Sequence, residues 1–189
     1  MKTLRWTSHD LELLPDPLDG KRYEIIEGDL HMSKQPRWEH QMVCTNVLMA
    51  LNLWSDQTGL GVANYAPGLI FDDDDDIAPD VVWISNQRLA SSLYEDGKLH
   101  SSPELVIEVL SPGSTNERRD RDLKLKLYSR RGAEEYWIMD WRQGRVEVYR
   151  REDAVLILHS TLNQHDILYS PLLPDFHCQV SQLFKSIRY

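Results

Sequence analysis

Leu105-Val106-Ile107-Glu108-Val109-Leu110 and Glu135-Tyr136-Trp137-Ile138-Met139-Asp140 are two short apolar runs, and their connection decides the fold. Runs almost without polar alternation describe strands covered on both faces. Ser111-Pro112-Gly113-Ser114 breaks the chain after the first run, and Ser114 or Thr115 can cap a helix that continues through Arg130. Leu123, Leu127 and Tyr128 on that helix would face the sheet, and Gly132 ends it. Strand, helix, strand over about 35 residues is a crossover unit, expected to be right-handed with parallel strands.

Inside this frame Glu108 is out of place, because a carboxylate among apolar neighbours needs a partner or a function. Asp80 poses the same question. It closes Ile77-Ala78-Pro79 and opens the apolar run Val81-Val82-Trp83-Ile84. Lys124 follows on the crossover helix, beside the sheet-facing stripe through its i+3 and i+4 neighbours Leu127 and Tyr128. Lys126 is displaced by about 200° at ideal helix geometry, so only one of the two lysines should reach the strands. Asp120, four residues before Lys124, can pair with it and fix where its ammonium points.

Working outward, Tyr23–Met32 reads as a hairpin with Gly28-Asp29 at its tip. Val43, Val47, Leu48, Leu51 and Trp54 recur at helical spacing from Arg37 to Thr58, and Gly59 stops that helix. Strands are expected around 62–66, 68–71 and 77–84, followed by a looser segment over 86–102. A later antiparallel hairpin pairs 145–150 with 155–159. Ser170-Pro171-Leu172-Leu173-Pro174 makes an ordered wrap before a short C-terminal helix. Residues 1–20 read as a flexible lead-in with a turn-rich Pro15–Gly20. Asp72–Asp76 lacks the alternating spacing and terminal Glu of an EF-hand, so it reads as an acidic, solvated turn.

A chain of 189 residues is expected to form a single domain over 1–189, with the lead-in at 1–20, a core over about 21–140 and a C-terminal hairpin and short helix over 141–189. At 27% charged and 41% hydrophobic residues it is an ordinary globular composition. No apolar run reaches the roughly 18 residues of a membrane span. The N-terminus has no signal-peptide core. Cys44 and Cys178 make neither a disulfide framework nor a zinc site, so a cytoplasmic location is the simplest expectation. The net charge of −9 argues against a general nucleic-acid coat protein. It leaves room for a nuclease, whose clustered acids bind metal and whose basic surface is local. Glu117–Arg131 is such a locality, with seven basic residues against three acidic. A solvated helix face and a phosphate-facing role explain it about equally well.

Two carboxylates and one ammonium gathered at a sheet edge are the minimal equipment of metal-dependent phosphodiester hydrolysis. Mg²⁺, or Mn²⁺ in its place, suits a pair such as Asp80 and Glu108 because it accepts one or two carboxylates and keeps waters and phosphate as its other ligands. Lys124 could orient the attacking water or stabilise the developing charge.

The strings Ile77-Ala78-Pro79-Asp80-Val81-Val82, Pro103–Pro112 and Asp120-Arg121-Asp122-Leu123-Lys124 resemble the bacterial endonuclease-like family called Uma-two. Tyr128, Gly132–Asp140, Tyr23–Gly28, Glu39-His40-Gln41 and Ser170–Pro174 extend the likeness over nearly the whole chain. That family is similar to the PD-(D/E)xK nuclease superfamily, as in restriction enzymes. The resemblance implies an α/β (α+β) fold, a restriction-endonuclease-like mixed β-sheet flanked by helices, with an N-terminal hairpin and a C-terminal β extension. It also implies DNA as substrate, with Asp80 and Glu108 as metal ligands. In the superfamily's plain pattern a lysine follows two residues after the acid, where this chain has Leu110. The resemblance implies that this lysine moves to the next helix, where Lys124 stands. A homodimer is the expectation by analogy with nucleases that cut both strands.

Superfamily members often add an acid from the first helix, here Glu39, although a solvated glutamate near a helix start explains it equally well. Glu24 alternates on its strand and can face the cleft. His40 reads as a surface or satisfied core histidine before it reads as a ligand. The function expected is a divalent-metal-dependent endonuclease acting on DNA. Its rival is a non-catalytic nucleic-acid- or protein-binding module on the same scaffold, and metal and lysine alone do not separate DNA from RNA.

Overall fold

The computed structural model describes residues 4–14 and 21–186. The turn-rich 15–20 segment lies outside the described residues. Residues 4–14 before it are ordered, not the flexible lead-in expected. Helix α1 (Ser8–Leu13) is closed by a capping box between Thr7 and Asp10. Hydrogen bonds from the Trp6 amide to the Gly28 carbonyl (2.9 Å) and from the Ser8 amide to the Asp73 carbonyl (2.7 Å) tie it down.

Strands β1 (Arg22–Ile26) and β2 (Asp29–Ser33) form the expected hairpin in antiparallel register. Its two-residue turn is Glu27-Gly28, one place earlier than the sequence suggests, with φ of 54° and 76°. Two successive positive φ values match the right-handed twist of the flanking strands, which is why glycine is useful here. Helix α2 (Trp38–Thr58) ends at Gly59 in the left-handed conformation, φ 68°.

Strands β3 (Gly61–Tyr65), β4 (Leu69–Asp72), β5 (Asp75–Ile77) and β6 (Val81–Ser85) follow. The expected 77–84 strand is therefore two strands in two sheets, with Ala78-Pro79-Asp80 as the crossing. Proline, which gives no amide to a ladder, belongs at such a break. The 86–102 segment begins with helix α3 (Asn86–Ser92), capped by the Ser85 hydroxyl.

Strand β7 (Leu105–Val109) and strand β8 (Glu135–Asp140) run parallel, with Glu108 opposite Ile138. The helix between them is continuous but not uniform: α4 (Ser114–Arg118), a π-helical segment Arg119–Lys124, then α5 (Leu125–Arg131). Its N-cap is Gly113, with no side-chain cap. Strands β9 (Arg145–Glu152) and β10 (Val155–Leu162) form the later hairpin. The wrap is framed by a two-stranded sheet that the sequence did not suggest, β11 (Ile167–Tyr169) with β12 (His177–Gln179), before helix α6 (Val180–Leu183).

The large sheet has the order β10-β9-β8-β7-β6-β3, mixed because only β7 and β8 are parallel. A smaller sheet has the order β2-β1-β5-β4. Alternation along β7 assigns the two cores. Leu105, Ile107 and Val109 pack with Val43, Val47, Leu51 and Trp54 of α2 and with Phe176 and Leu183 from the C-terminal wrap. Val106 and Leu110 face the opposite core, with Leu127 and Tyr128 of α5 and Ile26 and Ile77 of the small sheet. Fully burying one such side chain is worth about 1.5–3 kcal/mol, so each face is pinned and a one-residue slip of β7 is strongly disfavoured.

The Asp72–Asp76 tract is only partly a solvated turn. Asp73 is exposed and Asp74 half-buried, whereas Asp75 is buried, accepting from the Glu27 amide (2.8 Å) and pairing with Arg131 (2.6 Å).

Candidate active site

Glu108 shares the parity of Val106 and Leu110, so it points into the core formed with the crossover helix and the small sheet. Glu24 shares the parity of Ile26 on β1 and enters the same space from the other side. Asp80 stands where the chain passes between the sheets, its Oδ2 accepting from the Val109 amide at 2.8 Å. Lys124 closes the arrangement from the helix. Its ammonium donates to Glu108 Oε1 and to Glu24 Oε1, both at 2.9 Å, and the residue is 2% exposed. Tyr128 adds a hydroxyl hydrogen bond to the same Glu108 oxygen at 2.9 Å, and the Ala78 amide donates to Glu24 Oε1 at 3.1 Å.

The π-helical segment explains how Lys124 arrives. Bonds of the i→i+5 type widen the turn, so Asp120 and Lys124 fall within one turn and both face inward. The Asp120–Lys124 ion pair expected from regular helix spacing is not formed among the described residues. Asp120 Oδ1 instead lies 3.5 Å from Arg119 Nε, and neither of those two buried atoms makes a hydrogen bond.

Asp80, Glu108, Lys124 and Glu24 thus line one cavity of about 90 Å³, together with His40, Arg119, Asp120 and the Val109 and Ser111 positions. Glu39 is not among its lining residues. It lies in the first turn of α2, paired with Arg37 at 3.4 Å, as a helix-start glutamate would. His40, which reads as unremarkable in the sequence, reaches Asp80 Oδ2 through Nε2 at 3.1 Å, while Nδ1 lies 3.6 Å from Cys44 Sγ. Its signal was the spacing 40, 43, 47, 51, 54, which places it on the buried stripe of α2.

The charges are strongly coupled. Burial raises the pKa of Glu108; Lys124 opposes this, but Asp80, Asp120 and Glu24 push it further, well above the usual carboxylate range. Burial would also raise Glu24 and Asp80. Lys124 and Arg119 outweigh it at Glu24, and His40 with Lys124 at Asp80, so both are held below their ordinary values. Asp120 is pushed up to about 6 by burial, against the pull of Lys124 and Arg119. Burial would discharge Lys124, yet Glu108, Glu24 and Asp120 hold it charged above the usual lysine range. The lysine is therefore held as a charged hydrogen-bond donor between the carboxylates.

This donor set fits a hard divalent cation. Among the described residues both hydrogen bonds to Glu108 fall on Oε1, and both polar contacts of Asp80 fall on Oδ2. One oxygen of each carboxylate is left in a polar cavity large enough for an ion and a water. His40, Cys44 and Asp80 also present ligand atoms within 4.8 Å of one another. Burial holds the Cys44 thiol far above its ordinary pKa, so beside His40 it is a protonated partner.

The fold is a mixed central sheet with a cavity lined by carboxylates and cations at its edge. The structure is similar to the crystal structure of a putative nuclease belonging to DUF820 from Anabaena variabilis ATCC 29413, with a TM-score of 0.73 and 19% identity over 94% of this chain and 97% of that one. The chain belongs to the Uma2 family, described as "Putative restriction endonuclease", whose model matches residues 9–181. A weaker likeness, TM-score 0.40 and 16% identity over 75% of this chain and 15% of the other, is to the type IIG restriction endonuclease BpuSI and is too slight to bear on the fold. No curated protein matches the chain. No described helix is long and apolar enough to cross a membrane.

Proposed function

We propose that this protein is a divalent-metal-dependent endonuclease that hydrolyses phosphodiester bonds of DNA. The observation that carries the reading is the burial of Lys124 against Glu108 and Glu24 at the wall of a cavity that Asp80 also lines. Asp80 and Glu108 would hold Mg²⁺ or Mn²⁺, which when bound supplies Lewis acidity and lowers the pKa of bound water. Lys124, kept charged and aimed by two carboxylates, donates to the oxygen on which negative charge develops. Glu24 holds the ammonium in place from the small sheet, a positioning role. Tyr128 fixes the rotamer of Glu108 by occupying the oxygen that faces the helix. His40 does the same for Asp80.

DNA enters through the family, whose description names restriction endonucleases. The test is cleavage of supercoiled plasmid with Mg²⁺ or Mn²⁺ against EDTA. Metal-dependent nicking that disappears in Glu108→Gln, with the circular dichroism spectrum unchanged, is the expected result. Equal activity in that variant and the parent would remove the assignment.

A further inference from the structure

The basic run 117–131 mostly does not face a substrate. Arg121 pairs with Glu147, Arg130 with Glu27 and Arg131 with Asp75, and Lys124 is inside the cavity. Arg118 and Arg119 are the members of that run that open onto new space. Two clefts continue outward from the cavity between the β2 hairpin strand and helix α4, of about 350 Å³ and 600 Å³. The nearer one shares Ser33, Lys34, Ser111 and Arg119 with the cavity. Both clefts share Met32, Asn116 and Arg119.

Their chemistry differs from that of the cavity, whose lining mixes the carboxylates of Glu24, Asp80, Glu108 and Asp120 with Arg22, Lys34, Arg119 and Lys124. The residues lining the two clefts include Lys34, Arg37, Arg118 and Arg119 and not one acid, in a chain with a net charge of −9. These arginines are also loosely paired. Arg37 is 3.4 Å from Glu39, Arg118 is 3.6 Å from Asp122, and Arg119 is 3.5 Å from Asp120 and 3.8 Å from Glu24. Several other arginines are engaged at charge-assisted hydrogen-bond distance, as Arg131–Asp75 and Arg150–Glu135 at 2.6 Å and Arg88–Glu134 at 2.7 Å, although Arg5 and Arg145 also pair loosely, at 3.4 Å and 3.3 Å. Arg119, with 12% of its side chain exposed and a buried Nε that makes no hydrogen bond, stands where all three spaces meet.

We infer that these acid-free clefts form a phosphate track that carries one strand of DNA to the cavity. Arg119 takes the phosphodiester at the cavity mouth, and Lys34 and Arg118 take those beyond it. This rests on the nuclease reading for the direction of the track, but not for its existence. A planar guanidinium bridging Glu24 and Asp120 only loosely is free to present parallel N–H donors to a phosphate.

The test is fluorescence anisotropy of a short labelled DNA duplex with the full chain in EDTA, where no cleavage intervenes, across a range of salt. Lys34→Ala with Arg118→Ala should weaken binding roughly tenfold at low salt and make the salt slope shallower by about 2, one for each phosphate no longer neutralised. Lys126→Ala, an exposed charge on the same helix outside the clefts, should leave both unchanged. Arg119→Lys keeps the charge but loses the fork, and should weaken binding while the fold, checked by circular dichroism, persists. Cleft variants that bind like the parent, a loss in Lys126→Ala equal to theirs, or no DNA binding by the parent would each overturn the track. Weakened binding in the cleft variants without any metal-dependent cleavage would keep the track and remove the nuclease. Normal binding in them beside Glu108-dependent cleavage would do the reverse.

Discussion

Glu104 and Glu108 are buried acids four residues apart at the start and near the end of the same strand region, and their surroundings are opposite in kind. Glu104 is enclosed: Oε1 accepts from the Ser85 hydroxyl at 2.6 Å and lies 3.2 Å from Arg88 Nε, while Oε2 accepts from the Ser85 amide at 3.1 Å. Both of its oxygens are committed. Glu108 takes its hydrogen bonds on one oxygen and turns the rest of its carboxyl toward a polar space shared with three other acids. Burial with full hydrogen bonding is a structural solution for a polar group. Burial with half the carboxyl left to a cavity is stable only with a proton or a cation. A buried acid is therefore not in itself a sign of a site, and the free oxygen is what distinguishes the two.

The largest expected effect separates them directly. Glu108→Gln should remove metal-dependent plasmid cleavage, whereas Glu104→Ala should lose about 1–3 kcal/mol of stability in a denaturant titration and keep its activity per folded molecule. Activity loss in Glu104→Ala beyond its unfolded fraction would erase the distinction. Lys124→Met comes next. Turnover should fall roughly 10²–10³-fold, as for other donors aimed at developing charge, with divalent-ion affinity by calorimetry changed far less. If Lys126→Ala is the inactive variant instead, the helix presents its other face to the cavity. Arg131→Met should leave cleavage intact and lower the melting temperature, because it uncouples Asp75 from the crossover helix away from the cavity lining.

The smallest effect concerns pH. Glu108 is held well above the usual carboxylate range mainly by its burial, so it carries a proton where an exposed glutamate would not. A cation must displace that proton, and affinity for Mg²⁺ should therefore fall as pH is lowered and rise toward a plateau once Glu108 ionises freely. Calorimetry in buffers of different ionisation enthalpy should show proton release on binding. Affinity that does not change with pH across the acidic to neutral range would place the ion elsewhere.

Much of the frame was legible because it rests on local rules. Apolar runs flanking a helical segment specify the parallel β7–β8 unit, and Gly59 and Gly132 stop their helices where the pattern says, although neither Ser114 nor Thr115 supplies the expected cap. Asp80 and Glu108 stood out because each interrupts an apolar run. Other features depended on tertiary contacts that one-dimensional spacing does not carry. The π-helical turn redirects Asp120 from Lys124 toward Arg119, and regular helix geometry cannot foresee it. In the Asp72–Asp76 tract every residue is identical, so nothing in the tract says that Asp75 and Asp76 are buried, Asp75 against Arg131 and Asp76 against Lys98, while Asp73 stays exposed. Glu24 and Glu39 looked alike as single acids. Strand parity carries one into the cavity, and the helix start leaves the other outside.

The anomalous density of a crystal soaked in Mn²⁺ probes the proposed metal centre most directly. A peak is expected within coordination distance of the Asp80 and Glu108 carboxylates, beside the Lys124 ammonium and absent from a Glu108→Gln crystal. An ordered ion bound only at the Asp72–Asp76 turn, or a cavity that takes up no metal while Lys124 keeps both carboxylates, would contradict it.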